Sequence, residues 1–179
     1  MTIIVCPLSK VALLVAARAP ERIVSLLDPD SAFPETGAHV GKHLRLRLHD
    51  AHVAAPGRVL PGAEHVAELL AFVGQWDRSA PILIHCRAGI GRSTAAAFIT
   101  ACLHNPHAAE HEIALALRRA SPLARPNETL IKLADAALGR RDRMCRAISE
   151  TGRNLSWSEI EVALRLEGEG RVFEMPSAF

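Results

Sequence analysis

An α/β fold, with a mainly parallel central sheet flanked by helices, is what this 179-residue sequence predicts, and three observations carry the prediction. Short β-branched and leucine-rich runs alternate with segments of helical period, as a parallel sheet requires because each strand needs a crossover before the next. The run Ile82-Leu83-Ile84-His85-Cys86 is apolar almost throughout after Pro81, which reads as a strand buried on both faces. Beyond Arg92, residues Ala95, Ala96, Ala97, Phe98, Ile99, Ala101 and Leu103 cover nearly every face of a helix, and a helix apolar all round is a central one.

The elements follow in order. Thr2 to Cys6 and Ile23 to Leu27 are strands bounded by Pro7, Pro20 and Pro29, with a helix over Ser9 to Ala17 between them, so the chain opens as a βαβ unit. His43 to Leu48 alternates polar and apolar residues and predicts a strand with one buried face, leaving Asp50 at its C-terminal end. Pro61 begins a helix on which Val66, Leu69, Leu70 and Val73 recur at helical spacing. Asn105-Pro106 reads as cap and first turn of a helix through Ala120, and Pro126-Asn127-Glu128 as the start of another ending at Gly139. After Gly139 the pattern loosens into a basic cluster of Arg140, Arg141, Arg143 and Arg146, a helix over Trp157 to Leu166, and an extended last dozen residues.

Composition narrows the classes of function. Basic and acidic residues number 21 and 19 and are mixed along the chain, so no global field points to nucleic acid or to a membrane surface. With no tyrosine and few other aromatics, stacking platforms for single-stranded nucleic acid are scarce. Cys6, Cys86, Cys102 and Cys145 are widely spaced without a CxxC pair, which suits reduced thiols and a cytoplasmic setting. Lys10, the apolar run after it and Ala17-Arg18-Ala19 imitate a secretory signal, but the run is short, Met1-Thr2 is uncharged before it, and Ile3-Ile4-Val5 already reads as a strand.

The chemistry is carried by His85-Cys86-Arg87-Ala88-Gly89-Ile90-Gly91-Arg92-Ser93, which puts five residues between a cysteine and an arginine on a turn between a buried strand and a buried helix. A phosphoryl group needs donors on its equatorial oxygens, and the successive N–H groups of residues 87 to 92 on a tight loop supply them as a nest. Gly89 and Gly91 permit the curl, and Arg92 closes the ring with a bidentate fork that lysine cannot offer. The following helix points its positive end at the same place. The same donors favour the thiolate of Cys86, so phosphate binding and nucleophile activation share a cause. Ser93 stands where its hydroxyl reaches the sulfur, and His85 supports the loop from the strand.

This loop resembles the active-site signature of cysteine-dependent protein tyrosine phosphatases, and the compact layout from about Thr2 to Gly139 is similar to their dual-specificity and bacterial branches. The resemblance implies a phosphatase-type fold, a catalytic domain over residues 1–140, and a C-terminal helical and extended extension over 141–179 packing on it. It further implies a cofactor-free, metal-free phosphoric monoester hydrolase with a phosphocysteine intermediate, acting as a monomer on phosphotyrosine, with phosphoserine and phosphothreonine of proteins also open to it, apart from nucleic acid or membrane. The family's general acid lies on a loop after a strand, and Asp50, which is 36 residues before Cys86, matches that placement. Asp28 and Asp30 are the rival acids.

Several features depart from the larger members of the family. The Trp-Pro-Asp acid loop and the pocket-deepening tyrosine are absent, so access of phosphoserine and phosphothreonine stays open. Trp76-Asp77 lies at the wrong end of the Cys86 strand to serve as that acid loop. Phosphoinositide phosphatases often carry two basic residues in the loop, whereas here Arg87 is present and Ile90 occupies the other position, so a lipid substrate is the less favoured alternative. A catalytically weak phosphate-binding module is another alternative. Rhodanese-like sulfur carriers use a shorter loop. Arg45, Arg47, Arg118, Arg119 and Arg125 read as surface charge, part of which forms a rim for acidic substrates.

Overall fold

A computed structural model describes residues 1–37, 42–151, 158 and 172–179. Five strands form one sheet in the order β3-β2-β4-β1-β5: β1 (Thr2–Pro7), β2 (Arg22–Leu27), β3 (His43–Arg47), β4 (Ile82–Cys86) and β5 (Phe173–Pro176). The first four pair in parallel, and β5 pairs antiparallel with β1, Ile3 opposite Met175. The opening βαβ unit is therefore split, because β4 lies between β1 and β2 and pairs with both. That insertion puts the strand ending in Cys86 at the centre of the sheet.

The helices are α1 (Val11–Arg18), entered through a 3-10 turn at Leu8–Lys10, then α2 (Ala63–Gly74), α3 (Arg92–His104), α4 (Glu110–Ala120), α5 (Glu128–Ala137) and α6 (Arg143–Glu150). The sheet buries a different amount on each face. Val5, Val24, Leu26, Ile84 and Cys86 join the larger core with α2, α3, α4, α5 and α6. The alternate residues Ile4, Cys6, Ile23 and Leu83 form a small core with Val11 of α1. From Arg92 to Cys102 every residue of α3 is buried, as its all-round apolar pattern predicts.

Two helix starts differ from the sequence reading. The helix after Pro61 begins at Ala63, where the Gly62 N–H donates to His65 Nδ1 at 3.0 Å. Asn105 does not cap a helix that starts at Pro106; α4 begins at Glu110. The Asn105 amide instead donates to the Ala101 and Ser177 carbonyls at 2.8 and 2.9 Å and accepts the Phe179 N–H at 3.1 Å, so it closes α3 and fastens the C-terminal tail. The predicted extended tail is the edge strand β5. The helix predicted over Trp157 to Leu166 lies outside the described residues, apart from Ser158. Among the described residues no helix is long and apolar enough to cross a membrane.

Candidate active site

Parallel strands bring their C-terminal ends to one edge, where α/β sheets bind ligands. Here β2 delivers Asp28, β3 the Leu48 carbonyl and Asp50, and β4 delivers Cys86. The loop 86–92 curls between β4 and α3, and its backbone is held from three sides. Leu8 N–H donates to the Arg87 carbonyl at 3.2 Å, Arg125 N–H to Ile90 at 3.0 Å, and Asn127 N–H to Gly91 at 3.3 Å.

The two glycines have different reasons to be there. Gly89 has φ +75°, and a side chain on it would strike the backbone of Cys6 and Pro7 in β1 at about 3 Å. Gly91 has φ −99°, which any residue can adopt, so the curl does not require it. What requires it is Asp50: an added Cβ would sit 1.9 Å from the carboxylate Oδ2. The empty space at Gly91 lets the Asp50 carboxylate lie against the loop.

Cys86 is buried, with its Sγ 3.1 Å from Ser93 Oγ and accepting the Gly89 N–H at 3.2 Å. The other cysteines stand in surroundings that disfavour a thiolate. Burial pushes the Cys6 thiol up to about 12, and it raises Cys102 further and Cys145 as well.

Arg92 is 3% exposed and held on one side only. Its Nη1 donates to Asp28 Oδ1 at 2.8 Å and to the Leu48 carbonyl at 2.5 Å, while its buried Nε makes no hydrogen bond. An unpaired buried N–H is costly unless a ligand completes it. Of the loop residues between the cysteine and the arginine, Arg87 is exposed, Ala88 half-buried, and Gly89, Ile90 and Gly91 buried.

Asp50 is half-buried, and its Oδ1 accepts from Asn127 Nδ2 at 2.7 Å. Asn127 is the residue that sequence reading took only as a helix cap. It is that, since its Oδ1 accepts the Leu130 N–H of α5 at 3.1 Å, but the other end of the same amide orients Asp50. The proximity of residues 50 and 127 is a tertiary fact with no local signal. Of the rival acids, Asp28 is engaged with Arg92 and Asp30 is exposed.

His85 lies on the opposite face of β4 from Cys86, with its Nε2 2.5 Å from Ser25 Oγ of β2. Burial pushes its pKa down to about 4, opposed in part by the Cys86 backbone, so the ring is neutral. Arg118 donates to the Pro122 and Ala124 carbonyls at 2.9 and 2.8 Å, which holds the loop beside residues 124–127. No group of three or more His, Cys, Asp and Glu able to hold a metal occurs among the described residues.

A thiol-bearing loop of this form, on this sheet edge, defines a class of protein, and comparison with known proteins agrees with it. Residues 50–121 match the protein-tyrosine phosphatase family model. The fold is similar to that of DUSP15 (TM-score 0.55, 16% identity, covering 84% of this chain and 92% of that one). It is also similar to human DUSP28 (TM-score 0.54, 16% identity, 75% and 84% covered). A third likeness is to PTPMT1 in complex with PI(5)P (TM-score 0.53, 14% identity, 80% and 91% covered). No curated protein sequence matches the chain. Residues 50–121 thus carry a likeness to the protein-tyrosine phosphatase family, and the fold is that of compact dual-specificity-like phosphatases.

Proposed function

We propose that the protein is a phosphoric monoester hydrolase that removes phosphate from phosphotyrosine in proteins, with phosphoserine and phosphothreonine also admitted, through a phosphocysteine intermediate. The observation that carries this reading is the half-engaged Arg92, whose Nε is buried and unpaired beside a loop that holds Cys86 Sγ between the Gly89 N–H and the Ser93 hydroxyl.

The residues then divide the reaction. The loop amides of 87 to 92 and the free side of the Arg92 guanidinium hold the equatorial oxygens. Cys86 Sγ attacks phosphorus in line, forming the P–S bond as the bond to the tyrosine oxygen breaks. Asp50, set against Gly91 by Asn127, gives its proton to that leaving oxygen. The resulting carboxylate takes a proton from water, whose oxygen attacks phosphorus and breaks the P–S bond. Ser93 donates to the departing sulfur, restoring the starting thiolate.

The unpaired, widely separated cysteines support a reducing, cytoplasmic setting. PTPMT1, with its bound PI(5)P, keeps a phosphoinositide substrate as the second reading, favoured by exposed Arg87 and opposed by buried Ile90.

The deciding experiment compares turnover of a phosphotyrosine peptide, a phosphothreonine peptide and a phosphoinositide by wild type and Cys86→Ser. Phosphotyrosine should be hydrolysed fastest, and Cys86→Ser should bind the peptide without turning it over. Residual hydrolysis by that variant excludes the covalent route. A wild type that binds phosphopeptide without turnover is a recognition module, and preference for the lipid transfers the assignment to the second reading.

A further inference from the structure

A hydroxyl in the middle of a parallel strand is an anomaly, because a buried polar group is costly unless it is hydrogen-bonded. Ser25 is fully buried in β2 among Val24, Leu26 and Ile23. Its Oγ lies between two imidazoles, 2.5 Å from His85 Nε2 of β4 and 2.6 Å from His43 Nε2 of β3. The row continues outward, since His43 Nδ1 receives Arg45 Nε–H at 3.3 Å and lies 3.1 Å from Thr36 Oγ1. One chain of polar contacts thus crosses three adjacent strands, from the residue before Cys86 to an exposed arginine at the sheet edge.

Proton counting gives this row a direction. Arginine has donors and no acceptor, so His43 Nδ1 must offer a lone pair to Arg45. A neutral His43 then carries its proton on Nε2 and donates it to Ser25 Oγ. With that contact filled, the single hydroxyl proton of Ser25 goes to His85 Nε2. The His85 proton is left on Nδ1, which is buried, and the backbone group that the ring interacts with is that of Cys86.

We propose that Arg45, His43 and Ser25 form a tautomer relay that holds His85 in its Nδ1–H form and so keeps an N–H dipole against the start of the phosphate loop. These three are positioning residues, acting through His85 and touching neither substrate nor sulfur. Among the described residues, the groups that face the row include the Phe33 ring, edge-on to His43 at 6.5 Å between centroids and carrying the Arg45 guanidinium 5.9 Å above it, and, near His85, the Arg92 charge. Removing a link frees the rings to exchange tautomers, and with the wrong one a nitrogen lone pair replaces the N–H beside the loop that must stabilise a thiolate.

The proposal rests on Cys86 as the nucleophile, but its test needs no turnover, so its failure is separable from failure of the phosphatase reading. Long-range ¹H–¹⁵N spectra of the wild type report the tautomers directly, and the expected result is His85 protonated on Nδ1 and His43 on Nε2. Alkylation of Cys86 by iodoacetamide at pH 7 should slow about tenfold in Ser25→Ala, the scale of one hydrogen bond acting on a charged site. Ser25→Thr, which keeps the hydroxyl on a residue that strands accommodate, should restore the rate. Arg45→Met, an exposed change that leaves the core intact, should slow alkylation two- to threefold and introduce Nδ1–H signal at His43. A His85 proton found on Nε2 overturns the relay, as does wild-type alkylation in Arg45→Met together with unchanged His43 signals. If Ser25→Ala fails to fold, those two measurements still decide.

Discussion

Two poles of this molecule each hold a buried arginine and an aspartate, and they treat them in opposite ways. At the pole made by α4, α5 and α6, Arg140 is surrounded: Nη1 donates to Glu110 and to the Pro106 carbonyl at 3.0 and 3.1 Å, and Nη2 to the Cys102 carbonyl at 2.7 Å. Asp135 has both oxygens occupied, accepting the N–H groups of Asp142 and Met144 at 2.7 Å each and capping α6. At the Cys86 pole, Arg92 uses Nη1 alone, and Asp50 has one oxygen held by Asn127 and the other left against Gly91. A buried charge whose partners are all supplied by the fold stabilises the fold. One whose partners are supplied on one side only is oriented, and its open side is left free for a ligand under the proposed function. The sequence shows both pairs as Arg and Asp, and burial does not separate the two arginines; the completeness of their hydrogen bonding does.

The largest effect expected from this contrast is at Asp50. An aryl phosphate with a strongly electron-withdrawing ring departs as a stable phenolate, whereas the phenol of phosphotyrosine, with a pKa near ~10, needs a proton as it leaves. Asp50→Asn should therefore slow phosphotyrosine hydrolysis by about 10²- to 10⁴-fold and the activated ester far less, as steady-state kinetics on both esters would show. Equal slowing of the two removes Asp50 from the acid role, and Asp28 or Asp30 would be tested next. Asn127→Ala should give a milder version of the same selectivity, together with loss of the α5 cap at a cost of about 1 kcal/mol.

Arg92→Lys comes next. A point charge cannot reproduce the fork, so kcat/KM should fall about 10²- to 10³-fold while the melting temperature stays within a few degrees of wild type. Arg140→Met should do the reverse. It leaves Glu110 buried with Arg143 as its remaining charged partner, so stability should drop by about 3 kcal/mol, seen as a clearly lower melting temperature, with kcat/KM of the folded protein unchanged. If the two variants exchange phenotypes, completeness of hydrogen bonding is not what distinguishes the poles.

His85 refines the comparison from the neutral side, as a buried titratable group that the fold keeps uncharged. Its pKa is lowered from 6.5 to about 4 by burial, so between those values the unfolded chain binds a proton that the folded chain refuses. This contribution to stability is whole above about pH 6.5 and is lost as pH falls toward about 4, amounting to about 3 kcal/mol. Urea unfolding at pH 7.5 and pH 4.5 should show the difference, reduced in His85→Gln. A pH-independent stability difference between wild type and His85→Gln would mean that His85 is not the residue responsible.

What the sequence determined by itself was whatever local chemistry could encode. The spacing from Cys86 to Arg92, the buried strand before it and the all-apolar helix after it are contiguous, and they require the loop to sit between β4 and α3. The alternation over His43 to Leu48 put Asp50 at a strand end, and Asn127 announced α5. What the tertiary structure decided was which distant groups meet. The order β3-β2-β4-β1-β5 brings Asp28 and Leu48 to Arg92, seats Asp50 on Gly91 beneath Asn127, and aligns His85, Ser25 and His43 across three strands. It also turned Asn105 from an expected helix start into the clasp of the C-terminal tail. The physical reason is range: backbone propensity and capping act over a few neighbouring residues, whereas the partners of a buried polar group are fixed only when the strands have chosen their neighbours.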